Sequence, residues 1–263
     1  MTPLTPLDHV HAAMQAAPDD DALRLRFFER LADAELFLLL EREARDETVD
    51  PQIFETEDGK FLLAFDLEER LAGFAEGTMP YLALSGRTLI GMIAGQGVGL
   101  GLNLGTAPSE TLLPPEAVDW LAETLAHAPE ETEDRPRELA PPSGLPETLL
   151  TALDGKLALM SGRARLAYLC AVTYESGRRG HLLAFVDTTQ GAETALARAV
   201  NEALAFSGLE AGALDVAFFA ASDAIAARLA RTGLRFDLPQ PDPHDTASRP
   251  APGSDPATPP ILR

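Results

Sequence analysis

The sequence predicts an α+β fold in two domains: a mixed β-sheet with helices in an N-terminal domain, then a second, small α/β sandwich. Three observations lead there. Short apolar runs alternate with stretches of helical 3–4 spacing along both halves of the chain. A segment rich in Pro and Glu and nearly devoid of large apolar side chains separates the halves. The charge is divided as well: residues 1–126 hold 8 Lys and Arg against 23 Asp and Glu, whereas residues 145–237 hold 9 against 10. A chain of 263 residues accommodates two domains of ordinary size.

Thr5-Pro6 makes an N-cap and first-position pair, followed by Leu7, Val10, Met14 and Ala17 at helical spacing. The run Asp19-Asp20-Asp21 opens a second helix carrying Leu23, Phe27 and Leu31, its carboxylates suited to the positive end of the helix dipole. Leu36-Phe37-Leu38-Leu39-Leu40 is too short for an independent helix and reads as a strand covered on both faces. Gln52 to Phe65 reads as a hairpin turning at Asp58-Gly59. Asp66 and Glu69 resemble a capping box for a short helix with Leu67, Leu71 and Phe74 inward. Tyr81 to Leu84 is a strand, and Ser85 caps a helix with Leu89, Met92 and Ile93 that stops at Gly95.

The next stretch, Gly95 to Gly105, is the most distinctive of the chain. As an extended strand it places Gly97, Gly99 and Gly101 on one face and Val98, Leu100, Leu102 and Leu104 on the other. Glycine inside a strand weakens it and marks close approach by another backbone or a ligand. A neighbouring helix packed on the bare face is the plainer expectation. The alternative is a groove floor for a small ligand, with Gly97, Gly99, Gly101, Asn103 and Ser109 as candidate binding residues and Thr106 at the rim. Neither G-x-G-x-x-G nor the P-loop pattern is present. Pro114-Pro115-Glu116 then starts a helix with Val118, Leu121 and Leu125 inward, and Trp120, the sole tryptophan, is expected in the core or at a domain contact.

Residues 127–145 are expected to form an extended linker between a domain at 1–126 and one at 146–237. The second domain reads as a helix from Pro146, a long strand over 164–174, a return strand from His181, a helix, a strand over 214–219 and a last helix capped by Ser222, with helices on one sheet face. The Pro-rich tail 238–263 is expected to be disordered.

A net charge of −20 disfavours nucleic acid and anionic membrane as partners. One cysteine, Cys170, allows no internal disulfide or multi-thiolate metal site and fits a reducing cytosol. With no basic, apolar leader and no run of about 18–20 apolar residues, a soluble cytoplasmic protein is expected. A Cys/His nucleophile pair would need Cys170 beside His181. A turn centred between Gly177 and Arg178 sets His181 opposite Tyr174, roughly 13 Å along the strand from Cys170, so Cys170 reads as a small buried apolar residue. His9 and His11 diverge on their helix. No acid, base and nucleophile assemble, and no metal or cofactor is implied. Arg163, Arg165, Arg178 and Arg179 read as solvated, with attraction of an anionic ligand or of the acidic first domain as the alternative.

Asp33-Ala34-Glu35-Leu36-Phe37, Leu63-Ala64-Phe65 with Glu69-Arg70-Leu71, Pro80-Tyr81, and above all Gly97 to Asn103 leading into Pro108-Ser109 and Leu113 to Val118, resemble the bacterial SseB family of "enhanced serine sensitivity" proteins. The resemblance covers about residues 23–126, with a weaker likeness at 167–169, 181–183 and 214–218 to the family's C-terminal part. It implies a two-part cytoplasmic protein and carries over no catalytic residue. The leading expectation is a non-enzymatic regulatory or interaction protein with a protein partner, connected with serine or amino-acid homeostasis. A small-ligand sensor using the glycine face is the second.

Overall fold

The computed structural model describes residues 3–43, 50–57, 59–75, 79–126, 133–208 and 214–241. The expected tail beyond 241, the start of the expected linker at 127–132 and the turn residue Asp58 lie outside them. The chain divides into two compact units, one comprising 1–133, 145–153 and 197–213, the other 134–144, 154–196 and 214–263. Together they are mixed α+β, as the sequence predicts.

In the first unit, helices α1 (Pro6–Ala16) and α2 (Asp21–Asp33) precede β1 (Glu35–Leu39), and β2 (Ile53–Thr56) pairs with β3 (Gly59–Phe65) as the expected hairpin. Then come α3 (Glu68–Ala75), β4 (Tyr81–Ser85), α4 (Gly86–Ile93), β5 (Gly99–Leu102), β6 (Thr111–Leu113) and α5 (Pro115–Ala126). Local chemistry sets the helix starts. Thr5 and Asp8 close a reciprocal capping box on α1, Asp20 accepts from the amides of Ala22 and Leu23 on α2, and Ser85 accepts from Thr88 on α4. Gly95, with φ 73°, follows the end of α4.

The strands form a sheet of order β4-β1-β3-β5-β6, with β2 also beside β3, and β3 and β5 run parallel. Alternation then sorts the side chains. Leu36, Leu38, Leu62, Ala64, Leu100 and Leu102 join one core with Leu7, Phe27, Leu31, Leu89, Ile90, Val118 and Leu121 of α1, α2, α4 and α5. Leu39, Leu63 and Phe65 face the other way and pack with Leu71 of α3. A fully buried leucine of this kind contributes about 1.5–3 kcal/mol. Phe206, within the added segment 197–213, belongs to the first core, and Glu202 accepts both terminal nitrogens of Arg87, which also bonds Asp33 at 3.0 Å.

The second unit contains β7 (Pro136–Ala140), β8 (Ala164–Tyr174), β9 (Arg179–Thr188), β10 (Leu214–Phe219), α8 (Ala224–Thr232) and β11 (Leu234–Asp237). Helices α6 (Glu147–Ala158) and α7 (Glu193–Phe206) complete the chain order. The sheet runs β10-β9-β8-β11, with β7 also on β8. Part of the segment expected to be an unpaired linker is therefore strand. Pro136 and the register shift at Pro136/Glu138 suit an edge, where a missing N–H breaks no inner ladder.

In this sheet Cys170, Val172, Leu182 and Ala184 are buried with Leu229 of α8 on one side, and Leu169, Leu183 and Phe185 are buried on the other. Strands covered twice are apolar on both faces, as these are. The β8–β9 turn differs from the expected one. Tyr174 and Arg178 bracket a three-residue loop, Glu175-Ser176-Gly177, with Gly177 at φ 87°. His181 consequently pairs with Ala171 rather than Tyr174. Because side chains alternate, this sets His181 on the opposite face from Cys170, and its Nε2 meets the Ser143 carbonyl oxygen at 3.0 Å.

Among the described residues no helix is long and apolar enough to cross a membrane.

Candidate functional site

The sequence points to the glycine strand as the place to look for a site, with a groove as the alternative to a packed face, and there the structure shows a packed face. β5 is short, and Gly97 lies before it with φ 68°, exposed. Gly99 and Gly101 are buried within it. A Cβ on Gly99 would lie 2.4 Å from the Leu113 carbonyl oxygen and 2.6 Å from the Phe61 ring, and one on Gly101 would lie 2.6 Å from the Leu63 side chain and 2.9 Å from that of Leu104. The bare face is therefore filled. Its cover is aromatic and aliphatic side chains of the adjacent strand and of Leu104, not the helix expected there. Leu104 itself had been assigned to the opposite face; the chain turns at Asn103, φ 51°, and brings it back over Gly101.

Asn103 and Ser109 are fully buried and belong to a polar cluster rather than a rim. The Asp66 amide donates to Asn103 Oδ1 at 3.0 Å, Asn103 Nδ2 donates to Ser109 Oγ at 2.9 Å, and Ser109 donates to Asp8 Oδ1 at 2.5 Å. At the centre Arg70 lays its guanidinium between two carboxylates. Nη1 bonds Asp66 at 2.7 Å and Asp8 Oδ1 at 3.1 Å, while Nη2 bonds Asp8 Oδ2 at 2.5 Å and the Pro3 carbonyl at 3.3 Å. Thr5 donates its hydroxyl to Asp66 and its amide to Asp8. Asp66, expected to cap α3, thus serves the cluster instead. Thr106 bonds the Asn103 carbonyl through its hydroxyl.

Burial opposes the charge on Asp8, but the bonds from Arg70, Ser109 and Thr5 outweigh it and hold the carboxyl down at about 2. His11, buried nearby against Phe27, has its basicity lowered by the same desolvation, partly offset by the Pro108 carbonyl and the Asp8 charge. Every terminal N–H of Arg70 has an acceptor, and the carboxylates are spent on bonds inside the unit. Such an arrangement locks α1, α3 and the β5–β6 loop together. Asn103 is its hinge: replacing it with Ala removes both side-chain bonds and leaves a Cβ residue in the left-handed region. We expect a loss of about 2–3 kcal/mol in urea unfolding monitored by Trp120 emission.

The cluster was missed at sequence level although a signal was present. Arg70 follows Leu67 by three positions and precedes Phe74 by four, so it shares their inward stripe, and Asp8 sits beside Leu7 on the buried side of α1.

In the second unit Tyr174 donates to Asp215 at 2.6 Å, Arg178 pairs with the same carboxylate at 2.9 Å, and the guanidinium lies 4.3 Å from the centre of the Tyr174 ring. Burial and the Asp215 carboxylate push the phenol above its usual range. Arg165 is likewise held, by Asp187 at 3.1 Å. Burial raises the Cys170 thiol to about 11. At pH 8 a thiol reagent should leave Cys170 unmodified in the native chain and modify it fully in denaturant; rapid native labelling, followed at 412 nm or by mass, would contradict its burial. Among the described residues no group of three or more His, Cys, Asp or Glu is placed to hold a metal ion.

The model of the SseB protein N-terminal domain matches residues 10–120. The chain matches no curated protein and no solved structure. The family match spans the glycine strand together with Asp66, Arg70, Asn103 and Ser109, and it ends before the second unit. Residues 10–120 are thus similar to the SseB protein N-terminal domain, and the likeness shown goes no further along the chain.

Proposed function

We propose that the protein is a non-enzymatic regulatory module that works by binding another protein, with a role in serine or amino-acid homeostasis. The observation carrying this reading is the use made of the polar residues of the family-matched region. Asp66, Arg70, Asn103 and Ser109 are directed at one another and at Asp8, so they shape and hold a surface instead of facing a substrate. The filling of the face at Gly99 and Gly101 by Phe61, Leu63 and Leu104 favours this reading over a small-ligand sensor.

The test is chemical cross-linking in intact cells followed by purification of the full chain, with and without added serine. The expected result is one protein recovered repeatedly in near-stoichiometric amount, in a quantity that responds to serine. Recovery of nothing above background, combined with turnover of a small molecule by the purified chain, would overturn the reading.

A further inference from the structure

Among the described residues Trp120 is the one exposed large aromatic side chain on a helix, and it is the only tryptophan in the chain. Its helix buries Val118, Leu121 and Leu125, while Trp120 on the opposite side keeps 40% of its surface exposed, so of the two places expected for it, core or domain contact, it is not in the core. The indole is nonetheless held. Its ring meets Phe28 edge-on at 5.2 Å, Phe28 leans on Phe27 at 5.6 Å, and Phe27 meets the buried His11 at 5.5 Å. A row of rings thus runs from α1 through α2 to the surface of α5. A side chain braced in this way loses little freedom on binding, which is what a central interface anchor requires.

The charge around it has one sign. Glu116 and Glu123 lie one turn before and after Trp120 on the exposed side of α5, and Asp119 beside it accepts from the Gly95 amide at 2.7 Å. From 88 to 126 the chain contains no Lys or Arg, and residues 1–126 carry a balance of −15. Arg24, one turn before Phe28 on α2, is already paired with Asp21 at 2.6 Å. We propose that this face of α5 is a docking site for a basic amphipathic segment of a partner protein. The partner's apolar side covers the indole, and its Lys or Arg side chains meet the flanking carboxylates or stack on the ring. Anionic partners are repelled from the same face. This inference rests on the interaction reading above and names the chemistry of the partner.

Trp120 is also the reporter. The full chain is titrated with a tryptophan-free Leu/Lys peptide of about four helical turns, with its Leu/Glu counterpart, and with oligolysine of equal charge. The Leu/Lys peptide should shift Trp120 emission to shorter wavelength and saturate at one per chain; the Leu/Glu peptide should do nothing, and oligolysine should bind weakly and lose binding in salt. With a labelled peptide followed by anisotropy, Trp120→Ala should weaken binding by about tenfold, Trp120→Phe by less, and Glu116→Gln should reduce the salt dependence, all with unchanged far-ultraviolet dichroism. Equal response to the Leu/Glu peptide, or no emission change with any peptide, overturns the proposal. Saturable binding indifferent to Trp120→Ala overturns this site while leaving the interaction reading in place, whereas failed cellular cross-linking together with turnover of a small molecule removes that reading independently.

Discussion

Replacing Arg70 by Met is expected to cost the first unit about 3–5 kcal/mol, the range in which removing one partner of a buried ion pair falls. The guanidinium and both carboxylates it serves are almost wholly inaccessible, with side-chain exposures of 2% for Arg70, 2% for Asp8 and 4% for Asp66. Met matches the stem of Arg and spares the packing, so the cost comes from two carboxylates left in the interior without their donor. The pH dependence identifies the cause. In the unaltered chain Asp8 is held at about 2 against the usual 3.8. A carboxyl depressed on folding stabilises above its unfolded value, and that contribution, about 2 kcal/mol, is lost as the pH falls from about 4 toward 2. In Arg70→Met desolvation acts on Asp8 without the guanidinium, and its titration moves upward. The acid limb of stability should then flatten or reverse. Urea unfolding at several pH values, read by Trp120 emission, reports this unit separately from the second. A loss below about 1 kcal/mol at neutral pH, typical of exposed pairs, would show that the cluster does not hold the fold.

What the sequence disclosed and what it withheld follow from the range of the interactions involved. The helices and the long strands were legible because their signals are local: Thr5, Asp20 and Ser85 cap as their positions predict, although Asp223 and not Ser222 is the N-cap of α8, and the short apolar runs of β1, β3 and β8 match their burial on both faces. The strands β7 and β11 were not, since neither has a strong pattern of its own. Each gains its conformation from the unpaired edge of β8, whose other edge β9 occupies. The β8–β9 register depended on whether Gly177 sits within a three-residue loop or beside the centre of a shorter one, and that three-residue difference reversed the face of His181. The glycines of β5 were rightly read as marking close approach, but what approaches them, Phe61, Leu63 and Leu104, depends on strand pairing and on the turn at Asn103. Asp8 and Arg70 lie far apart in sequence and meet only when α1 and α3 are in place, so each alone looked like an ordinary charge on a helix.

Among the described glycines the one with the tightest surroundings is Gly86, which the sequence gives no reason to single out, and of the Gly→Ala substitutions at them Gly86→Ala should be the most disruptive. A Cβ there would lie 1.9 Å from the Leu31 carbonyl oxygen, 2.9 Å from the carbon of that carbonyl and 3.3 Å from the Ala32 Cα. These are backbone atoms at the end of α2, and no side-chain rotation relieves the clash. The first turn of α4 must retreat instead. That movement stretches the 2.8 Å bond from the Gly86 amide to the Ala34 carbonyl and pulls Arg87 from Asp33 and Glu202. The expected loss is at least about 3 kcal/mol, the upper end for overpacking. Gly91 supplies the control on the same helix. A Cβ there meets nothing within 4 Å, and its φ is not positive, so Gly91→Ala should gain about 0.5–1 kcal/mol from helix propensity alone. Two identical substitutions on one helix should therefore change stability in opposite directions in the same urea titration. Equal effects would mean that the helix tolerates displacement from α2 and that the contact at Gly86 does not set the position of α4.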